Sequence, residues 1–102
     1  MQEWTEQQAE LQLAKKGMQV IFFYTPMCGT CQVSKKMLEV AAELVPQLEI
    51  GMCNLNYMPK MAERFEIESV PCLIAVENDR IYKKIYAFRS IEYLLGELRE
   101  IA

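Results

Sequence analysis

Two cysteines three positions apart, Cys28 and Cys31, are the residues of this chain best suited to chemistry. They stand in the stretch Tyr24-Thr25-Pro26-Met27-Cys28-Gly29-Thr30-Cys31, after a short apolar run and at the start of a helical pattern. At such a junction both sulfurs share one helical turn, so a disulfide between them closes a very small ring. A cysteine near a helix N-cap meets unpaired backbone N–H groups and the positive end of the helix dipole, and both favour its thiolate. The thiolate is the attacking species in thiol–disulfide exchange. Cys28 is therefore the expected nucleophile. Cys31, deeper in the first turn and less easily ionised, is the expected resolving thiol. The same spacing also serves as half of a zinc site, but Cys53 and Cys72 stand alone and form no second pair of this kind. No metal and no bound cofactor are expected, since the sulfurs carry the electrons themselves. Cys53 and Cys72 fall in predicted strands and read as small buried hydrophobes. Cys72, directly after Pro71, also starts close enough to the pair to act as a third thiol.

The elements that must position the pair follow from periodicity. Met18–Tyr24 (MQVIFFY) is short, nearly continuous in apolar character and rich in aromatic and branched residues, as suits a strand buried on both faces. A turn containing Pro26 and Gly29 leads into a helix over 29–45, where Val33, Met37, Val40, Ala41 and Leu44 fall at helical spacing and Pro46 closes the segment. A helix over 3–16 carries Trp4, Leu11 and Ala14 along one stripe, with Met18 beyond it and Gly17 as its stop. Alternation over 48–53 predicts a strand, and Pro59 opens a short helix over 58–65. Cys72–Glu77 and 81–86, separated by Asn78-Asp79-Arg80, predict a hairpin whose second strand, with Lys83 and Lys84, suits a sheet edge. Ser90 caps a last helix bearing Ile91, Leu94, Leu95, Leu98 and Ile101 on one face. The first two strands are parallel through a helical crossover, and the last two antiparallel.

The bulk properties narrow the class further. A chain of 102 residues, 52% hydrophobic and 25% charged, suits a single folded domain over 1–102. A formal net charge of −3 with scattered basic residues gives no field for nucleic acid or an anionic membrane. The opening MQEWTEQQAE lacks both the basic and the apolar region of a signal peptide, and no apolar run approaches the roughly 20 residues a bilayer crossing needs. A cytoplasmic monomer is expected, in a compartment that keeps thiols reduced.

The stretch VIFFYTPMCGTC, the segment Ser69-Val70-Pro71-Cys72-Leu73 and the order of elements together resemble thioredoxin from about Met18 to Ala102. The resemblance implies an α/β thioredoxin-like fold, a central four-stranded mixed sheet flanked by helices, with the first thioredoxin strand absent because the chain begins directly with a helix. It implies thiol–disulfide oxidoreductase activity on protein or low-molecular-weight disulfides, with electrons from a thioredoxin reductase or a thiol donor. It also makes Pro71 the cis-proline facing the cysteine pair and Val70 the residue whose backbone receives substrate. Met27 and Tyr24 are the candidates for an apolar rim around them.

Several positions depart from the family pattern. Met27 replaces the usual tryptophan, Thr30 the proline between the cysteines, Phe22 the buried acid and Met52 its lysine partner. Losing acid and lysine together leaves no unpaired buried charge, yet removes the nearest general base for Cys31. Histidine is absent from the chain, so helix and backbone alone stabilise the thiolate, which favours a reductase over an oxidase. The rival from another class is a thioredoxin-like binding module whose cysteines act only as a redox switch. A glutathione-linked glutaredoxin fits less well, since its Cys-Pro-Tyr-Cys-type centre and charged glutathione contacts are missing.

Overall fold

A computed structural model describes all 102 residues. Its central sheet has five strands in the order β1-β3-β2-β4-β5, with β1 (Gln2–Glu3), β2 (Met18–Tyr24), β3 (Ile50–Asn54), β4 (Cys72–Glu77) and β5 (Arg80–Ile85). β3 runs parallel to both β1 and β2, whereas β4 is antiparallel to β2 and to β5. Four helices complete the chain: α1 (Glu6–Leu13), α2 (Gly29–Glu43), α3 (Pro59–Arg64) and α4 (Ile91–Ile101).

The apolar run of β2 is buried on both sides, as its composition predicts. Val20 and Phe22 join a core with Leu38 and Ala41 of α2 and Leu94 and Leu98 of α4. Ile21 and Phe23, pointing the opposite way, join a second core with Ala9 and Leu13 of α1 and Met61 of α3. The sheet therefore separates an α2/α4 layer from an α1/α3 layer. At the far edge, Asn78 and Asp79 both adopt the left-handed region (φ 51° and 66°), the conformation that matches a two-residue turn to the twist of the hairpin. β5 is the edge strand. Its Lys83 lies against Glu97 and Glu100 of α4, and its Lys84 donates to the Glu66 carbonyl at 3.0 Å.

One expectation needs correction. The sheet has five strands rather than four, because the chain opens with a strand rather than a helix: Gln2 and Glu3 pair with Gly51 and Met52. Trp4 belongs to the link after β1, where its N–H donates to the Met52 carbonyl at 2.8 Å, and its ring fills the space above Gly51. α1 begins only after Thr5, whose hydroxyl and backbone exchange hydrogen bonds with Gln8 in a capping box. A two-residue strand shows no period, so the helical pattern that follows it absorbs its residues. In α2 the fold selects which face is covered. The side turned to the sheet carries Cys31, Ser34, Leu38 and Ala41, whereas Val33, Val40 and Leu44 face outward.

Candidate active site

Cys28 is the N-cap of α2, in extended conformation (φ −128°, ψ 105°), and its Sγ accepts the Cys31 N–H at 3.1 Å. The strand-to-helix junction creates this geometry. β2 ends at Tyr24, a turn through Pro26 follows, and Gly29 starts the helix, whose Cys31 N–H is aimed at the Cys28 sulfur. The Thr30 hydroxyl lies 3.3 Å from the same sulfur. Cys28 and Cys31 are disulfide-bonded, with Cα atoms 5.2 Å apart. Cys28 is half-buried and Cys31 only 2% exposed. The two sulfurs thus differ in access to solvent, and a backbone N–H is already aimed at the Cys28 sulfur.

The Val70–Pro71 peptide bond is cis. Cys72, the residue after it, pairs with Phe23, the penultimate residue of β2. Pro71 and the Cys28 turn therefore leave the sheet at the same end. Val70 is partly buried there, and Met27, 96% exposed, is the most uncovered large apolar side chain of the chain. Tyr24 is more constrained. Its ring stacks on Phe22 at 6.1 Å between centroids, and its hydroxyl donates toward both Glu3 carboxylate oxygens at 2.7 Å. Burial and that carboxylate raise its pKa to about 12.

Phe22 and Met52 are paired across β2 and β3, so the two departures from the family pattern meet on neighbouring strands. Phe22 is fully buried and makes an edge contact with Phe88 at 5.8 Å. A narrow cleft beside it, about 140 Å³ in volume, is lined by Tyr24, Thr25, Pro26, Cys31, Gln32 and Lys35 and contains no carboxylate. Cys31 has no acid within this cleft to take its proton.

Cys53 and Cys72 are free and buried, and both belong to the core on the α1/α3 side of the sheet. They flank Phe23 on either side. Two strand spacings, roughly 10 Å, separate them, beyond the reach of a disulfide. Burial pushes the Cys53 thiol up to about 12 and the Cys72 thiol to about 11, the latter partly countered by Lys84 and the Tyr86 hydroxyl. Neither approaches the α2 layer, and no three Cys, Asp or Glu side chains converge as metal ligands would. Sequence reasoning noted Thr30 only as a replacement and missed its hydroxyl as a neighbour of the Cys28 sulfur. It missed Glu3 altogether, because a carboxylate 21 positions from its tyrosine leaves no local signal.

No helix is long and apolar enough to cross a membrane. A family model described as Thioredoxin matches residues 1–100. The thioredoxin-like protein YusE of Bacillus subtilis (strain 168) is 39% identical over 94 residues, covering 92% of this chain and 89% of that one. A bifunctional thioredoxin reductase/thioredoxin of Mycobacterium leprae (strain TN) is 26% identical over 83 residues, 80% of this chain against 18% of that longer protein. Among solved structures, chloroplastic thioredoxin z superposes with a TM-score of 0.81 at 16% identity, covering 99% of this chain and 93% of that chain. With the cysteine pair at the head of α2 and the fold matched over almost its whole length, this chain belongs to the thioredoxin family and is a thiol–disulfide oxidoreductase in the general sense of that family.

Proposed function

We propose that this protein is a cytoplasmic disulfide reductase, a single domain over 1–102 that reduces protein or low-molecular-weight disulfides through Cys28 and Cys31. The observation that carries the reading is the Cys28 sulfur at the helix N-cap, accepting the Cys31 N–H while its partner lies buried one turn deeper. Hydrogen bonds to sulfur and the helix dipole favour the charged thiolate over the thiol.

The Cys28 thiolate attacks one sulfur of the substrate disulfide, forming a mixed disulfide and releasing the other substrate sulfur as a thiolate that takes up a proton. Cys31 gives up its proton and attacks the Cys28 sulfur, forming the internal disulfide and releasing the second substrate thiol. Two electrons pass to the substrate. A thioredoxin reductase or a thiol donor returns them. The bifunctional M. leprae relative, whose name joins the two activities in one chain, supports such a donor. With Phe22 in place of an acid, and no carboxylate in the adjoining cleft, the Cys31 proton goes to solvent or to the departing substrate sulfur. Val70, Pro71, Met27 and Tyr24 form the substrate rim at the end of the sheet from which the Cys28 turn leaves.

Insulin reduction coupled to a thioredoxin reductase tests this reading, alongside a Cys31→Ser variant incubated with cell extract. Turnover by the native protein and mixed disulfides accumulating on Cys28 of the variant are the expected results. Absence of both would leave a binding module whose cysteines only switch.

A further inference from the structure

Helix α2 presents two apolar faces, one covered by the sheet and α4 and the other, apart from Met37 at the edge of the core, open to solvent. Cys31, Ser34, Leu38 and Ala41 lie against the sheet and α4. Val33, Met37, Val40 and Leu44 form a second stripe, spaced by four, three and four residues. Val33 is 60% exposed, Val40 47% and Leu44 59%, with Met37 half-buried between them. Alternating steps of three and four make the seam by which one helix packs along another. Beside the stripe lie Lys36 and Glu43, both exposed and neither in an ion pair with its own chain.

We propose that this stripe is a homodimer interface, in which α2 packs antiparallel against α2 of a second copy. The twofold arrangement centred between Met37 and Val40 sets Val33 against the partner's Leu44 and Met37 against the partner's Val40. The same register brings Lys36 beside the partner's Glu43, and Glu43 beside the partner's Lys36. One chain thus supplies both halves of two symmetric ion pairs, the self-complementarity that an isologous contact requires. Parallel packing sets Lys36 beside the partner's Ala41 and leaves both charges unmatched. This order of charges along the stripe favours a second copy over an unrelated protein. α2 has 15 residues, so the helix–helix contact is about 22 Å long. That is shorter than a standard interface of about 800 Å² per partner would span, and the association is correspondingly weak and concentration-dependent.

Sedimentation equilibrium of the full chain from about 1 to about 500 μM tests the proposal, since a contact of this size dissociates in that range. The expected mass rises with concentration from 11.9 kDa toward twice that value. Val40→Glu should abolish the rise while circular dichroism and insulin turnover stay as in the native protein, because Val40 lies outside the redox site. Lys36→Glu and Glu43→Lys should each weaken association about tenfold, through lost attraction and new like-charge contacts. Combined, they should restore it. A constant 11.9 kDa overturns the proposal, as does association that survives Val40→Glu. A double variant no tighter than either single variant overturns the antiparallel register.

Discussion

Each of the four cysteines has a different environment, and those environments predict an order of reactivity. The Cys28 sulfur has a backbone donor at 3.1 Å and the Thr30 hydroxyl at 3.3 Å, together with partial access to solvent. Cys53 and Cys72 are fully buried, with thiol pKa values raised by that burial. Alkylation of the reduced native protein near neutral pH should therefore label Cys28 first. Cys53 and Cys72 should react only after denaturation, as peptide mass mapping would show. Labelling of Cys72 in the native state would revive it as a third redox thiol. Phe22→Asp restores the acid of the family pattern inside the α2/α4 core. It should cost about 3 kcal/mol or more of stability, since a carboxyl replaces a fully buried ring. It should also introduce a new titration into the pH profile of mixed-disulfide resolution. If the profile is unchanged, position 22 has no part in deprotonating Cys31. At this scale the sequence was readily legible. The spacing of Cys28 and Cys31 and the apolar character of Phe22 and Met52 are local facts, and the fold leaves their meaning intact.

β1 shows where local pattern stops informing. Only two residues pair, held by the Trp4 ring over Gly51 together with the Trp4 N–H on the Met52 carbonyl and the Tyr24 hydroxyl on Glu3. A Cβ at position 51 would lie 2.0 Å from that ring. Gly51→Ala should therefore expel Trp4 and detach β1, at a cost of about 2–4 kcal/mol. Urea unfolding followed by the fluorescence of this single tryptophan measures both effects. A glycine inside a strand is itself a signal of close approach, but it does not name what approaches. α2 makes the same point for helices. Its apolar residues fall at helical spacing on two faces, and periodicity alone does not say which face meets the sheet. Val33, Val40 and Leu44 fall at helical spacing beside Ala41, yet they face outward in the fold while Ala41 is buried.

For the molecule as a whole, the ionisable groups that burial perturbs define how stability responds to alkali. Cys53 moves from 9.0 to about 12, Cys72 from 9.0 to about 11 and Tyr24 from 10.0 to about 12. All three are acids whose folded-state pKa lies above the unfolded value. Between those values the folded chain binds more protons than the unfolded one, so stability falls as pH rises. Urea midpoints should hold steady from pH 7 to about 9 and then decline toward pH 11, because these groups begin to ionise in the unfolded chain first. Tyr24→Phe should flatten the upper part of that decline. A midpoint that does not move up to pH 11 would refute the burial assigned to the two thiols. The sequence by itself determined the redox pair, the strand that delivers it, the order of helices and strands from Met18 onward and the hairpin at the edge. Each is written in spacing and local propensity. Only the tertiary structure decided that a two-residue strand opens the sheet, which face of α2 is covered, and that Cys53 and Cys72 lie on the side of the sheet away from α2. Those outcomes depend on which distant segment approaches, and a side chain's burial is fixed by that approach rather than by its neighbours along the chain.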